Sequence, residues 1–371
     1  MDFKLTQEQL MLQDTTARLV RDAYGFEQRE QARNSACGFS ASFMQQLGEL
    51  GLCAVPFAEV YGGFGGSGVD NQVVMTELGR GLCLDPFLQS VIYAGGLVAH
   101  LGTEAQKQAL LPQVGSASLQ LAVALEEPQS HYQLDDVQTV ATPVDGGWRL
   151  EGRKSVVVGG QSAGLIVVSA RSSDGISLFL LDPQAAGVRR RSFATFDGRR
   201  ACELYLDGVF VEADALLGEP GGGLAALRYQ QGRAIAAQCA EAVGSMEAAC
   251  ALTLDYLKTR QQFGQPIGKF QVLQHRMVDM RIELDQATSM ALLAACVADQ
   301  PDSEARSRTL AAAKFIVSRA SRFVADQGIQ LHGGIGLTWE YMLSHHAKHL
   351  LMVARQFGDD DHHLQVFAEL M

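Results

Sequence analysis

Three alanine-rich segments, Ala234–Arg260, Phe270–Ala298 and Ser303–Leu331, consist of strong helix formers with few breakers. The interruptions fall at Gly264-Gln265-Pro266, at Gln300-Pro301 and at Gly333-Gly334-Ile335-Gly336. The helical pattern begins near Leu224 and persists to the end. It predicts a C-terminal bundle of four long helices, residues 224–371, joined by short connections. Helices this rich in alanine pack closely, so the bundle can also form an oligomer face.

The first ~118 residues read as a separate helical domain, because helical periodicity recurs with clear stops. Thr6-Gln7-Glu8-Gln9 has the form of a capping box, a threonine N-cap with glutamine three residues on. Further helical stretches cover Phe43–Leu50, Val73–Leu82, Val91–Leu101 and Glu104–Leu111, and a glycine-rich loop runs from Tyr61 to Gly68. Between residues 119 and 223 the pattern changes. Short apolar or alternating runs at Leu121–Leu125, Trp148–Leu150, Lys154–Val158, Leu165–Ala170, Ser177–Leu181 and Cys202–Phe210 alternate with Gly, Pro, Asp and Ser clusters. An antiparallel β domain is expected there. The fold class is therefore α+β: a helical N-terminal domain (1–118), a middle β domain (119–223) and the bundle (224–371).

At 371 residues the chain exceeds what one hydrophobic core supports, in keeping with several subdomains. A net charge of −11 argues against nucleic acid or an anionic membrane as the main partner. It leaves room for a small anionic ligand held by local positive groups. No apolar run approaches the ~20 residues of a membrane span, and no export signal is visible. The seven cysteines are scattered without a C-x-x-C pair, as expected of reduced thiols in a cytoplasmic protein.

Specific segments narrow the fold. Leu50-Gly51-Leu52, Pro56 and Tyr61-Gly62-Gly63 look like the segment joining N-terminal helices in acyl-CoA dehydrogenases. Arg260-Gln261-Gln262-Phe263-Gly264, followed by Gln271 and Gln274-His275, resembles that family's R-x-x-F-G signature. Ile329-Gln330-Leu331-His332-Gly333-Gly334-Ile335-Gly336 resembles its Q-x-x-G-G-x-G segment. The resemblance covers essentially the whole chain in order, far more than one glycine motif would carry. It implies FAD-dependent α,β-desaturation of an acyl-CoA thioester, with a carboxylate taking the α proton. It also implies an FAD shared across a subunit interface. One subunit holds the flavin ring and base; its neighbour's Arg260, Gln262, Phe263, Gln330, Gly333 and Gly334 equivalents hold the diphosphate and adenosine end.

Where the resemblance places the base, the chain departs from the family. The C-terminal Y-E-G-T segment corresponds to Phe357-Gly358-Asp359-Asp360, with Gly358 at the glutamate position. The alternative base, just before an arginine on the first bundle helix, corresponds to Gly232 before Arg233. The threonine and glutamine that follow the base are missing too. The family's T-E-P stretch becomes Glu126-Glu127-Pro128, and its K-x-W-I-T segment becomes Lys154-Ser155-Val156-Val157-Val158. The half facing a neighbour survives while the chain's own flavin-ring half is lost.

That division resembles the small subunits of heteromeric acyl-CoA dehydrogenases, such as those of pimeloyl-CoA dehydrogenase, whose relatives degrade fatty acyl or steroid side-chain thioesters. The resemblance implies an α2β2 assembly with a glutamate-bearing paralogue that binds most of the acyl-CoA. It further implies electron-transferring flavoprotein as electron acceptor, and neither nucleic acid nor membrane as partner. Two alternatives stand beside it: a self-sufficient homo-oligomer using Asp359 or Glu126 as a displaced base, and a redox-inactive binding or scaffold homologue. His345 and His349 share helical i, i+4 spacing, but no third ligand falls in register, so no metal is expected. Arg189-Arg190-Arg191 and Arg199-Arg200 read as a solvated strand edge, with CoA phosphates or a partner as the other reading.

Overall fold

The computed structural model describes residues 4–371, which divide into two compact units. The first unit comprises the chain up to Arg29, Ser67–Cys83 and Ile235–Met371; the second comprises Glu30–Gly66 and Leu84–Ala234.

Helices α1 (Gln7–Ala23), α2 (Phe26–Asn34), α3 (Ala41–Glu49), α4 (Gly68–Arg80), α5 (Gly96–Leu101) and α6 (Glu104–Gly115) occupy the N-terminal third. The capping box forms as read: Thr6 Oγ1 accepts from the Gln9 N–H at 3.2 Å, and Gln9 Oε1 accepts from the Thr6 N–H at 3.0 Å. Thr103 and Gln106 form a second box at the start of α6. Immediately before α5, Leu88–Gly95 winds as a π-helix with every residue buried.

The β region carries β1 (Leu121–Ala124), β2 (Val140–Val144), β3 (Gly147–Val158), β4 (Leu165–Ser172), β5 (Gly175–Leu181), β6 (Val188–Ala194), β7 (Arg200–Glu212) and β8 (Leu216–Leu217). They form one sheet in the order β6-β7-β3-β2-β4-β5-β8, with β1 paired to β4. The sheet is mixed, which corrects the antiparallel expectation: β1 runs parallel to β4, and β2 touches β4 in parallel at Val140 and Arg171. Alternation sets the buried face. Cys202, Leu204, Leu206, Val209 and Val211 of β7 point into the core formed with Leu150, Val157, Ile166, Val168 and Phe179. Two register shifts bulge β3 against β7, between Leu150 and Gly152 and between Lys154 and Val157.

Three long helices follow, α7 (Gly223–Thr259), α8 (Gln271–Ala298) and α9 (Glu304–His332). A short hairpin, β9 (Gln261–Gln262) and β10 (Gln265–Pro266), separates α7 from α8. Two short helices, α10 (Met342–Val353) and α11 (Asp360–Glu369), complete the chain, so the bundle has five helices where four long ones were expected. The alanines let these helices approach closely: Ala287, Ala291, Ala320 and Ala325 lie in one buried cluster with Met246, Met280, Leu284 and Leu350. The approach of α4 to α7 requires glycine. A Cβ on Gly244 would lie 1.8 Å from the Thr76 carbonyl oxygen, and one on Gly79 would lie 2.0 Å from that of Glu241.

Candidate functional site

The R-x-x-F-G motif sits where α7 ends. The Arg260 N–H continues the helical pattern onto the Tyr256 carbonyl at 2.9 Å, and the Ile267 N–H closes the hairpin onto the Arg260 carbonyl at 2.9 Å. The turn needs two left-handed residues, Phe263 at φ +54° and Gly264 at φ +77°. Phe263 is 88% exposed, a bulky ring held in a costly backbone conformation at the tip. It meets Phe270 edge to face at 6.0 Å. Arg260 and Gln262 are exposed beside it.

The Q-x-x-G-G motif ends α9. Gln330 is exposed on the last turn, and Gly333 caps the helix at φ 64°, ψ −140°, a region open essentially to glycine alone. The Gly333 N–H donates to the Ile329 carbonyl. Around Gly333 and Gly334 no atom lies within 4 Å of where a Cβ would stand, so this turn is open to an incoming group.

The fold brings the two motifs together. Tyr256, one turn before Arg260, stacks on His332 at 4.5 Å and 22°, and His332 directly precedes Gly333. On the other side His332 Nε2 lies 3.2 Å from the Tyr341 hydroxyl. Tyr256, His332 and Tyr341 were not singled out by sequence reasoning; the available signal was an aromatic residue flanking each motif.

The two positions that the resemblance assigns to the base hold no carboxylate, and Gly358 leaves little space. Gly358 adopts φ +105°, and a Cβ there would lie 2.5 Å from His362 Cδ2 and 2.6 Å from His363 Nε2. His363 is locked in place by a 2.8 Å bond to the Phe357 carbonyl, and burial together with the Lys314 ammonium pushes its pKa down to about 3. Lys314 is itself buried, which lowers its pKa to about 8; it donates to the Val353 carbonyl at 2.5 Å and to Ser318 at 3.1 Å. Gly232 is buried within α7. Asp359 serves as the N-cap of α11: Oδ1 accepts from the His362 N–H at 3.0 Å, and Oδ2 accepts from Arg355 at 3.3 Å. Both its oxygens are engaged.

In the second unit, Glu127 and Lys154 form a fully buried ion pair at 2.7 Å. Burial alone would raise Glu127, but the Lys154 ammonium and hydrogen bonds from Lys154, Thr139 and Gln129 outweigh it and hold the carboxyl at about 2. Lys154 also reaches Ser169 at 2.9 Å and the Leu125 carbonyl at 3.3 Å, and the Ser155 N–H donates to the Glu126 carbonyl at 2.8 Å. These bonds fix a ledge that presents Glu126 and Val156. Val156 is exposed at the second bulge with φ +53°, an outlier for a β-branched residue. Glu126 keeps access to solvent, yet protein crowds around it and desolvation raises its carboxyl above the ordinary range. Only Arg189, Arg190 and Arg191 of the arginine patch lie on edge strand β6: Arg189, with Arg153 of β3, stacks on the Tyr205 ring at 4.9 Å and 5.2 Å, and Arg190 donates to the Gly160 and Gln161 carbonyls. Arg199 is buried beside Asp197 and Arg200 opens β7, which corrects the solvated-edge expectation for that pair.

The sequence matches three family descriptions in order: "Acyl-CoA dehydrogenase, N-terminal domain" over residues 6–118, "middle domain" over 122–209 and "C-terminal domain" over 221–371. It is 31% identical over 359 residues to the probable acyl-CoA dehydrogenase YngJ of Bacillus subtilis (strain 168), covering 92% of each chain. The solved structure of a variant of the Tcur3481–Tcur3483 steroid ACAD superposes with a TM-score of 0.90 at 29% identity, covering 98% of this chain and 97% of that one. Butyryl-CoA dehydrogenase from Megasphaera elsdenii matches with a TM-score of 0.89 at 25% identity, over 100% of this chain and 99% of that one.

Proposed function

The chain belongs to the acyl-CoA dehydrogenase family of flavin-dependent oxidoreductases acting on CH–CH bonds, and we propose that it is the non-catalytic subunit of a heteromeric member. One observation carries this reading: at the base position Gly358 leaves no room for a side chain against His362 and His363, while the Arg260 and Gly333 motifs stand open to solvent.

The residues present fit one end of FAD. Arg260 offers a guanidinium fork suited to a diphosphate, Phe263 an aromatic face, Gln262 and Gln330 amides, and Gly333-Gly334 a turn without side-chain obstruction. The ring end fits poorly, because the ledge presents the Glu126 carboxyl and the apolar Val156 where the family has a hydroxyl and a tryptophan. When bound, FAD supplies the acceptor for hydride leaving the β carbon of an acyl-CoA. This chain grips the diphosphate and adenosine; a glutamate-bearing paralogue holds the flavin ring, the acyl-CoA and the base in an α2β2 assembly. Electrons pass on to electron-transferring flavoprotein. The similarity to the Tcur3481–Tcur3483 steroid ACAD supports a paired arrangement and a fatty or steroid side-chain thioester as substrate. The exposure of Phe263, Val272, Ile335, Leu337 and Trp339 on and around the two motifs also supports the paired arrangement.

Expressing the chain alone and with a glutamate-bearing paralogue tests the reading. Flavin colour and dehydrogenase activity are expected only in the co-expressed complex, and a yellow, active preparation of the chain alone would overturn it. The raised Glu126 carboxyl favours a second reading, a self-sufficient homo-oligomer. Activity of the chain alone that disappears in Glu126→Gln would select that reading.

A further inference from the structure

The aromatic link between the two motifs passes through His332. His332 Nδ1 lies 2.8 Å from the Gly328 carbonyl, and Nε2 lies 3.2 Å from the Tyr341 hydroxyl. That second bond joins the two ends of the excursion 333–340. One face of the ring lies against Tyr256 at 4.5 Å, and the Tyr341 ring leans on it at 5.2 Å and 52°. Tyr256 in turn accepts the Arg260 N–H on its carbonyl. The far limb of the excursion is held separately, by the bond between His345 Nε2 and the Trp339 carbonyl at 2.7 Å. Leu257 and Leu331 share a buried apolar cluster, and His332 adds the polar and aromatic link that ties the end of α7 to the end of α9.

We propose that His332 is a positioning residue that sets the span between the Arg260 guanidinium and the Gly333-Gly334 turn, so that both close on one diphosphate. This rests on the reading of those motifs as the diphosphate-binding half of an FAD site. A residue that only stabilised the bundle would weaken binding without regard to Arg260. A residue that sets the span makes the contribution of Arg260 depend on it.

A double-mutant cycle on the full-length chain separates the two, with ADP as the probe and affinity measured by calorimetry. His332→Ala is expected to weaken ADP binding about tenfold, and His332→Phe, which keeps a ring against Tyr256, about threefold or less. Arg260→Gln is expected to cost far less affinity in the His332→Ala background than in the wild type; equal costs in both would overturn the proposal. Hydrogen exchange supplies a readout that needs no ligand. His332→Ala should speed exchange in both 260–268 and 333–340, whereas acceleration confined to 333–340 would also overturn it. Absence of ADP binding by the wild type would remove the diphosphate reading, while the exchange result would still decide whether His332 couples the two segments.

Discussion

At Gly358 the backbone and the neighbouring rings act together. A positive φ that side chains rarely adopt and the two imidazoles close to its Cα leave the position to glycine. Gly358→Glu is expected to lower stability by about 1–3 kcal/mol, read as a lower denaturation midpoint, and to confer no dehydrogenase activity. Gain of activity in that variant would show that the rings yield and that the position still serves as a base site. Lys154 and Glu127 present the opposite case, a buried pair in which each charge depends on the other. Lys154→Met leaves the Glu127 carboxylate without its ammonium in a dry site. A loss of about 3–5 kcal/mol is expected in urea unfolding. A change below about 1 kcal/mol would mean that the backbone N–H groups of Gln138 and Thr139 satisfy Glu127 alone.

Among the elements, α10 and α11 carry the clearest dependence on pH. His346 on α10 bonds to Ser245 at 2.9 Å, and burial followed by the charges of His349, Arg29 and His345 lowers its pKa to about 3; His363 on α11 is lowered to a similar value. Both folded-state values lie below the ordinary histidine value of 6.5, so between those limits the unfolded chain binds more protons than the folded one. Stability is therefore expected to fall as pH drops from about 6.5 towards about 3, and His346→Asn should flatten that slope in pH-dependent urea unfolding. The elements also show what the sequence could reveal. The N-terminus of α1, the long helices and the β region were readable because capping chemistry and periodicity are local. The π-helix at Leu88–Gly95 was not: Val91–Leu101 read as ordinary helix, and the wider winding depends on distant contacts, such as Gln230 donating to the Ile92 carbonyl from 138 residues away. Parallel pairing of β1 with β4 likewise depends on which distant strand meets which. The Arg260 and Gly333 motifs were visible through their resemblance to a family. Their union through Tyr256 and His332, and the packing of His363 on Gly358, arise only from tertiary contacts.

For the whole molecule, the distribution of features matters more than any one of them. The Arg260 and Gly333 motifs are exposed and spatially joined, while both positions that the resemblance assigns to the base are glycine and the β-region ledge carries Glu126 and Val156 where the resemblance places a hydroxyl and an aromatic ring. On the proposed reading, a chain built this way completes an FAD site on a neighbour and does not complete one of its own. The flavin content of a purified complex with a glutamate-bearing paralogue, set against its mass from light scattering, tests this most directly. One FAD per pair of unlike chains is the expected result. One FAD per chain, or flavin retained by this chain alone, would contradict the division of labour.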